Sequence, residues 1–353
     1  MPIFEYPFNF SEDFSHQTIG TLSLDEPLPC SQKGSGFYRT GRISLQDNGS
    51  LEIVLYHNPA TSKFIYLRDC PPDSHLFKVV GLDPHIADSC EKITLPGQLC
   101  LGADRTRMIG EAIDHIFKSP VFSDIFESHD QENVAVFPIA REGLKYQVAD
   151  AIHSNYGFYC DEIVLDAHHV FDSSVPVYNR TVEMTLFKDK DLEPEQKENI
   201  SIAFFADSIA SGLVMKEVIA RVRERFVNVK RVEVIAPLAT IRGLCRIART
   251  EMDTDFTVRV HVFETLLNAL PPDFYYSAHF DIPDFHFDPS LQEQYRRWWG
   301  KDSSGNQIAD TACAGYGWSE VFYSPRKQIQ MMNSQLQYRH GMTIAQIIQR
   351  NLG

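Results

Sequence analysis

A turn of small and polar residues, Asp207-Ser-Ile-Ala-Ser-Gly212, has the composition of an anion-binding site. It follows an apolar run at residues 200–205, which is typical of a buried parallel strand. From Val214 onward, apolar residues recur at helical spacing. Backbone N–H groups that open a helix attract anions, and open α/β sheets bind ligands at the carboxyl ends of their strands. The pattern therefore predicts a phosphate site in this turn.

A second loop of similar character follows the apolar segment 134–137. Its sequence at residues 138–144 is Pro-Ile-Ala-Arg-Glu-Gly-Leu. Arg141 in this loop can donate two hydrogen bonds to one phosphate, and Gly143 allows a close approach of the chain. Taken singly, each loop also fits the α/β proteins that bind nothing at such turns, since a lone Arg most often forms a surface salt bridge.

In this order the two loops resemble those of the type I phosphoribosyltransferases, in particular the uracil phosphoribosyltransferase branch. Residues 134–144 are similar to that branch's apolar strand followed by Pro-Ile-Leu-Arg-Ala-Gly-Leu. Residues 204–214, Phe-Phe-Ala-Asp-Ser-Ile-Ala-Ser-Gly-Leu-Val, are similar to the family's loop for phosphoribosyl pyrophosphate. The resemblance covers residues 104–268 and implies an enzyme, a pentosyltransferase, that transfers ribose 5-phosphate to a planar nitrogenous acceptor such as a pyrimidine.

The resemblance also implies a role for individual residues. Asp207 would hold the ribose hydroxyls, and Arg180, in the hood segment between the loops, would contact pyrophosphate; these are the two implied catalytic residues. Mg²⁺ would be held through the substrate, with Asp207 as a further ligand, because Mg²⁺ prefers substrate phosphates to an all-protein cage. The implied substrate-binding residues are Arg141, Glu142, Gly143, Ser208, Ala210, Ser211, Gly212, Val214, Tyr316 and Trp318.

Two positions depart from the family pattern. The family has two acids or Asp-Pro where this chain has Ala206 and Asp207, and a Ser or Thr where this chain has Val214. A lost hydrogen bond to a charged group costs roughly 1.5–3 kcal/mol. Two further functions therefore stay open: a non-catalytic protein that senses a nucleotide or assembles with a partner, and an enzyme that uses the pocket for another ribosyl phosphate reaction, including glycosidic cleavage.

Other candidate groups have simpler explanations. His168 and His169 are adjacent and would point to opposite faces of a strand, which favours a solvated loop over a shared metal site. The aromatic cluster at residues 295–299 favours packing or an oligomer contact over a platform for a base. Tyr316 and Trp318 lie within a glycine-rich loop, and for them stacking on a planar ring is favoured as much as packing is.

Composition bounds the class of protein. The 353 residues are 43% apolar, enough for a large core, and the formal net charge of −14 argues against a general nucleic-acid binder. Seven cysteines without a CxxC pair predict reduced thiols and a cytoplasmic location. No apolar stretch is long enough to cross a bilayer, which predicts no membrane partner. The family resemblance adds the expectation of a homodimer.

The order of the elements predicts an α/β fold, a mostly parallel sheet with helices on both faces and a β-rich N-terminal segment. An amphipathic helix is predicted from residue 104, and strands and helices alternate after it. The predicted division is a β-rich N-terminal appendage at 1–103, a phosphoribosyltransferase-like core at 104–270, and an aromatic hood with C-terminal helices at 271–353.

The N-terminal segment carries its own local signals. A hairpin is predicted at 41–56, because Asn48-Gly49 can adopt the positive φ angles of a tight turn. Further strands are predicted at 64–67 and near 76–80. Beyond the strand predicted at 257–262, the polar residue Glu264 favours a cap or a turn.

Overall fold

The computed structural model describes residues 4–11, 17–30, 36–71, 75–87, 90–140, 142–171, 174, 180–190, 192–250, 255–268, 270, 284–311 and 323–352. Its strands are β1 (Phe4–Ser11), β2 (Gln17–Leu24), β3 (Leu28–Pro29), β4 (Phe37–Leu45), β5 (Ser50–His57), β6 (Leu67–Cys70), β7 (Ile93–Pro96), β8 (Val134–Pro138), β9 (Asp161–Glu162), β10 (Leu165–Phe171), β11 (Arg180–Phe187), β12 (Ile202–Ala206), β13 (Arg231–Ile235), β14 (Ala239–Thr240), β15 (Thr257–Phe263), β16 (Thr265–Leu267) and β17 (Phe285–His286).

The helices in the described ranges are α1 (Pro59–Ile65), α2 (Leu76–Val80), α3 (Pro84–Ala87), α4 (Gly102–Phe117), α5 (Ser123–Ser128), α6 (Val148–Tyr156), α7 (Pro194–Asn199), α8 (Leu213–Arg225), α9 (Ile241–Ala248), α10 (Pro289–Trp299), α11 (Pro325–His340) and α12 (Ile344–Leu352). None of these helices has the length and apolar character needed to span a membrane.

A ten-stranded sheet organises the described part of the chain, in the order β1-β2-β4-β5-β15-β13-β12-β8-β9 with β3 beside β4. The six strands from β5 to β9 in this order are parallel to their neighbours. The N-terminal strands join them with antiparallel pairing, through β4 against β5. The predicted fold class, a mostly parallel sheet with antiparallel N-terminal strands, is confirmed.

Helices cover both faces of the parallel sheet, and its central strands are therefore buried on both sides. Every residue of β8 and β12 is buried, which explains their uninterrupted apolar sequences. Phe204 packs on the face covered by α4 and α6, whereas Phe205 packs on the face covered by α8 and α9. The helix predicted from residue 104 is α4, which buries Ile109, Ile113 and Ile116.

Two strands predicted in the N-terminal segment are helices. Phe64 and Ile65 end α1, and only Leu67 of the predicted strand belongs to a strand, β6. The helix forms because the Asn58 side chain accepts the N–H groups of Ala60 and Thr61 and Pro59 occupies the first helical position. Residues 76–80 form α2. A short apolar run does not distinguish a strand from a buried helix. The predicted hairpin is confirmed as β4 and β5, with φ of 68° at Asn48.

Glu264 ties α1 to the parallel sheet. Its carboxylate is fully buried beyond the end of β15 and accepts hydrogen bonds from the hydroxyls of Thr61 and Ser62, the latter at 2.8 Å. His57, at the end of β5, contacts the other carboxylate oxygen at 2.8 Å, and this hydrogen bond raises the pKa of His57. The sequence interpretation of Glu264 as part of a cap or turn is consistent with the hydrogen bonds that its side chain accepts from the first residues of α1.

The aromatic cluster at residues 295–299 packs in the core. Tyr295 and Trp299, both in α10, are 1% and 0% exposed, so they cannot form an exposed platform for a base. The indole N–H of Trp298 donates to the carbonyl of Thr94 at 2.8 Å, which joins α10 to β7.

Candidate functional site

A cavity of about 410 Å³ lies at the carboxyl ends of β8 and β12. These two strands are neighbours, but the chain leaves β8 toward β9 on one side and leaves β12 toward β13 on the other. Such a reversal of strand order opens a crevice where α/β sheets bind ligands. The lining residues are Ile139, Ala140, Glu142, Lys145, Ala167, His168, His169, Asp207, Ser208, Ile209, Ala210, Ser211, Gly212, Val214, Met215, Tyr323 and Ser324.

The turn between β12 and α8 is fixed by its neighbours. The N–H of Ile209 donates to the carbonyl of Leu238 at 2.8 Å, and the Ile209 carbonyl accepts from the N–H of Thr240 at 3.0 Å. The Thr240 hydroxyl donates to the Ala210 carbonyl at 2.6 Å. Gly212 has φ of 75°, and a Cβ there would lie 2.4 Å from the carbonyl oxygen of Gly243. The turn is therefore held rigidly over the first turn of α9.

The same turn presents a set of N–H donors. Within the described ranges, the N–H groups of Ala210, Ser211, Gly212 and Val214 have no protein acceptor. They lie at the N-terminus of α8, where the helix dipole places partial positive charge. The Ser211 hydroxyl accepts the N–H of Leu213 at 3.3 Å, and its own hydrogen can still be donated. This arrangement suits an anion with several oxygens.

Asp207 stands between this turn and the end of β12. Its backbone N–H donates to the carbonyl of Ile235 at 3.3 Å, and its Oδ1 accepts the N–H of Ser208 at 2.9 Å. The side chain is half-buried and lines the cavity. A carboxylate beside a donor-rich turn can accept hydroxyl hydrogens or ligate a cation.

A buried ionic cluster lies at the wall of the cavity, to which it contributes Glu142. Glu142 is 5% exposed and its Oε1 lies 3.6 Å from Nη2 of Arg105, which is 1% exposed. Burial raises the pKa of Glu142, although the charge of Arg105 opposes this effect. Tyr146 joins the cluster to the turn through a 2.8 Å hydrogen bond between its hydroxyl and that of Ser208.

Sequence reasoning missed Arg105 and Tyr146, although a signal existed for Arg105. In α4 it lies four residues before the buried Ile109, on the apolar face of the helix. A charged residue at such a position needs a buried partner. The guanidinium also lies 4.5 Å from the centroid of the Phe64 ring, which shows how completely it is enclosed.

Gly143 is required by a close approach of two chain segments. A Cβ at this position would lie 1.9 Å from the carbonyl oxygen of Ala206, which accepts the N–H of Ile139. We expect Gly143→Ala to lower the free energy of unfolding by about 1–3 kcal/mol, because neither backbone segment can move freely. Urea unfolding followed by fluorescence measures this loss. Leu144→Ala, at an exposed neighbour, is the control, and equal stability of both variants would contradict the steric explanation.

The cavity brings together most of the residues predicted for substrate binding. Six of them line it, together with the predicted catalytic residue Asp207: Glu142, Ser208, Ala210, Ser211, Gly212 and Val214. Gly143 lies directly behind them. Arg180 begins β11 opposite Phe171 and is not among the described lining residues. Arg141, Tyr316 and Trp318 lie outside the described residues.

The two adjacent histidines differ from their predicted setting. His168 and His169 belong to β10, which pairs with β11, and both line the cavity, so the interpretation as a solvated loop is wrong. The strand signal at residue 165 continues through the histidines because β11 supplies a partner strand. Among the described residues, no group of three His, Cys, Asp or Glu side chains is arranged to hold a metal ion.

Comparisons with known proteins give likenesses of fold. No family model and no curated protein matches the chain. Adenine phosphoribosyl transferase from Trypanosoma brucei, solved with AMP, pyrophosphate and ribose-5-phosphate, aligns at 10% identity and a TM-score of 0.34, covering 67% of this chain and 90% of its own. Hypoxanthine phosphoribosyltransferase from Staphylococcus aureus aligns at 11% identity and a TM-score of 0.30, covering 52% and 90%.

A third similar structure is a hypothetical protein from Neisseria gonorrhoeae with bound ppGpp. It aligns at 10% identity and a TM-score of 0.31, covering 46% of this chain and 81% of its own. All three likenesses are distant.

Proposed function

We propose that the chain binds phosphoribosyl pyrophosphate in the cavity between β8 and β12 and transfers its ribose 5-phosphate to a planar nitrogenous acceptor. The observation that supports this proposal most directly is that one cavity is lined both by the turn 210–214, whose four N–H groups have no protein acceptor in the described ranges, and by Asp207. The volume of about 410 Å³ lies in the range of small-molecule sites.

Each part of the donor molecule has a complementary group. The 5-phosphate fits the N–H groups of the turn 210–214, because these groups and the helix dipole favour negative charge. The ribose hydroxyls fit the Asp207 carboxylate, which accepts hydrogen bonds only. Lys145, exposed at the cavity, adds positive charge toward pyrophosphate. Arg141 and Arg180 remain proposed pyrophosphate contacts, and Tyr316 and Trp318 proposed contacts of the acceptor.

The acidic groups of the cavity fit a Mg²⁺ ion that is held chiefly by substrate. The lining carboxylates among the described residues are Asp207 and Glu142, and Glu142 already faces Arg105. Mg²⁺ commonly takes one or two carboxylates together with substrate phosphates and water. Asp207 would supply such a ligand, and bound Mg²⁺ would neutralise charge on pyrophosphate.

The proposed reaction requires positioning and charge stabilisation from the protein. A ring nitrogen of the acceptor bonds to C1 of the ribose while the bond from C1 to the pyrophosphate oxygen breaks. Pyrophosphate leaves with the electron pair, and the N–H proton of the acceptor passes to water or to the departing pyrophosphate. The turn 210–214 would fix the 5-phosphate and Asp207 the ribose, so that C1 faces the acceptor. The donors around the leaving group would stabilise its developing charge.

A second candidate function is nucleotide binding without catalysis. The buried pair of Glu142 and Arg105 favours it, because this pair removes one carboxylate from chemistry at the cavity and leaves a binding pocket intact. Pyrophosphate release in the presence of any nucleobase would eliminate this second candidate.

Calorimetric titration with phosphoribosyl pyrophosphate and Mg²⁺ tests the proposal. We expect saturable heat and a rise in the unfolding temperature, since a ligand that binds only the native state stabilises it by mass action. A panel of purine and pyrimidine bases, followed by measurement of released pyrophosphate, then identifies the acceptor. Absence of both heat and thermal stabilisation would refute donor binding.

A further inference from the structure

A second group of chemically active side chains lies at the ends of β5 and β15. His57 is the last residue of β5, and Glu264 follows directly after β15. The two strands are parallel neighbours, so both residues emerge at the carboxyl edge of the sheet. Neither residue lines the cavity between β8 and β12. The pair is therefore separate from the candidate site described above.

Glu264 orients the imidazole of His57. Nδ1 of His57 lies 2.8 Å from Oε2 of Glu264, whose side chain is 0% exposed. Because a carboxylate only accepts hydrogen bonds, Nδ1 donates, and the neutral ring has its lone pair on Nε2. Nε2 makes no hydrogen bond to a described residue and is not enclosed, since the His57 side chain is 25% exposed. An imidazole held in this way can act as a nucleophile.

The carboxylate of Glu264 is itself held firmly. Its Oε1 accepts hydrogen bonds from the hydroxyls of Thr61 and Ser62 and, at 3.4 Å, from the N–H of Asn58. Glu264 has φ of 57°, a left-handed conformation that is unfavourable for a residue with a side chain. Conformations of this kind persist where surrounding contacts maintain them, and they cluster at functional sites. The fold thus maintains an unfavourable backbone while it directs this carboxylate at His57.

A cation with no ion-pair partner lies beside the imidazole. In the register of β4 and β5, Phe37 pairs with His57 and Arg39 with Leu55, so Arg39 and His57 are diagonal neighbours on one face. Both contact the ring of Phe287: the guanidinium carbon lies 5.1 Å and the imidazole centroid 5.0 Å from its centroid. Arg39 forms no ion pair with a described residue. Its guanidinium can therefore bind the oxygens of a phosphoryl group.

We propose that His57 is a phosphoryl-accepting residue, whose Nε2 takes the phosphoryl group of a small activated donor such as an acyl phosphate or a phosphoramidate. The bond from Nε2 to phosphorus forms while the bond from phosphorus to the leaving group breaks. The leaving group departs with the electron pair and takes a proton from water. The phosphorylated ring keeps its hydrogen on Nδ1 and is a cation, which the Glu264 carboxylate stabilises. Arg39 would neutralise charge on the phosphoryl oxygens.

Parallel modification of the intact chain with phosphoramidate and with diethyl pyrocarbonate tests this proposal. Both reagents modify imidazoles, but only phosphoramidate delivers an anionic phosphoryl group. His115, exposed on α4 and without a carboxylate partner among the described residues, is the internal reference. Peptide mass spectrometry under alkaline conditions, which preserve the bond from phosphorus to nitrogen, follows both residues. We expect each reagent to modify His57 about tenfold faster than His115 or more, although His57 is less exposed.

The reactions are run at mildly alkaline pH because the imidazole must be neutral. The hydrogen bond with Glu264 raises the pKa of His57, and the charges of Glu264 and Asp288 add to this effect, while partial burial opposes it. Below this pKa, Nε2 carries a proton and cannot attack phosphorus. The rate of modification should therefore rise as the pH increases through the pKa of His57.

Three variants assign the roles of the neighbouring side chains. Glu264→Gln keeps an acceptor for Nδ1 but removes the charge, and we expect it to slow both reactions at His57 by about tenfold or more. Arg39→Gln should slow phosphorylation alone, because diethyl pyrocarbonate is uncharged. Arg42→Gln, at an exposed position of the same strand, is the matched control and should change neither rate.

Each outcome decides one part of the proposal. A rate at His57 no higher than that at His115 with both reagents would overturn the activated imidazole. Faster acylation without faster phosphorylation would overturn the phosphoryl acceptor in particular. Equal phosphorylation of Arg39→Gln and Arg42→Gln would remove Arg39 from the site. The first two comparisons use the wild-type protein, so they stand even if Glu264→Gln does not fold, and neither bears on the function proposed for the cavity between β8 and β12.

Discussion

Asp207→Asn is expected to weaken binding of phosphoribosyl pyrophosphate with Mg²⁺ by about 100-fold or more. Asn has the size of Asp, and its amide oxygen can still accept the N–H of Ser208 that Oδ1 accepts at 2.9 Å. The substitution therefore removes the charge and one acceptor while the turn is retained. Two hydrogen bonds to a charged group, each contributing about 1.5–3 kcal/mol, account for a loss of this size.

Calorimetry on Asp207→Asn, with and without Mg²⁺, distinguishes the two proposed tasks of this carboxylate. A loss of affinity that persists without Mg²⁺ assigns Asp207 to the ribose hydroxyls, whereas a loss seen only with Mg²⁺ assigns it to the ion. Asp161→Asn, at an exposed position of β9 outside the cavity, is the matched control. Unchanged affinity of Asp207→Asn under both conditions would remove Asp207 from the proposed site.

The elements around Asp207 were predictable because their signals are local. The apolar strand β12 and the periodic helix α8 are contiguous in sequence, and the small residues between them indicate the turn. The same holds for β8 and for the close approach at Gly143, whose missing side chain leaves space for the Ala206 carbonyl. Order along the chain then placed both loops at one edge of the sheet, since carboxyl ends of parallel strands meet there.

The parts that the sequence did not predict depend on distant partners. Arg105 pairs with Glu142 across 37 positions of the chain, and Glu264 receives hydrogen bonds from the start of α1 across about 200 positions. No local pattern encodes such pairings. The helix α1 was mistaken for a strand because its cap, Asn58 with Pro59, also reads as a turn signal. The setting of His168 and His169 depended likewise on a partner strand, β11.

A buried polar network inside the parallel sheet shows the same long-range character. Glu233 on β13 is fully buried, and its Oε2 lies 2.6 Å from Nε2 of His261 on β15. Nδ1 of His261 lies 2.8 Å from the hydroxyl of Tyr56 on β5. Burial lowers the pKa of His261 despite the Glu233 carboxylate, which favours the neutral imidazole. Because a carboxylate only accepts hydrogen bonds, Nε2 donates to Glu233, and in the neutral ring Nδ1 accepts from Tyr56.

The charge of Glu233 is compensated at its other oxygen. Oε1 accepts the Nε–H of Arg231 at 2.6 Å, and Nη1 of Arg259 lies 3.9 Å away. Burial acts to raise the pKa of Glu233, but the hydrogen bond with His261 and the charges of Arg259 and Arg231 outweigh it, and the pKa is lowered. The carboxylate is therefore the centre of the network, with His261 donating to Oε2 and the two arginines, Arg231 and Arg259, beside Oε1.

Glu233→Ala is expected to lower the free energy of unfolding by about 3–5 kcal/mol, because it leaves His261 and Arg231 without their buried acceptor. Urea unfolding measures this loss as a reduced midpoint at constant slope. Glu233→Gln should cost less, since its amide oxygen still accepts from His261. Glu217→Ala, which removes the exposed pair with Arg221, is the control and should cost only about 0.3–0.5 kcal/mol.

The comparison of these three variants tests whether the buried acceptor, rather than charge in general, stabilises the sheet. A loss for Glu233→Ala no larger than that for Glu217→Ala would mean that His261 and Arg231 find other partners, such as water, when the carboxylate is removed. A loss for Glu233→Gln as large as that for Glu233→Ala would instead assign the effect to the negative charge between Arg231 and Arg259. We expect the largest loss of unfolding free energy for Glu233→Ala, a smaller loss for Glu233→Gln and the smallest for Glu217→Ala. This order follows only if the hydrogen bond to His261 contributes on its own.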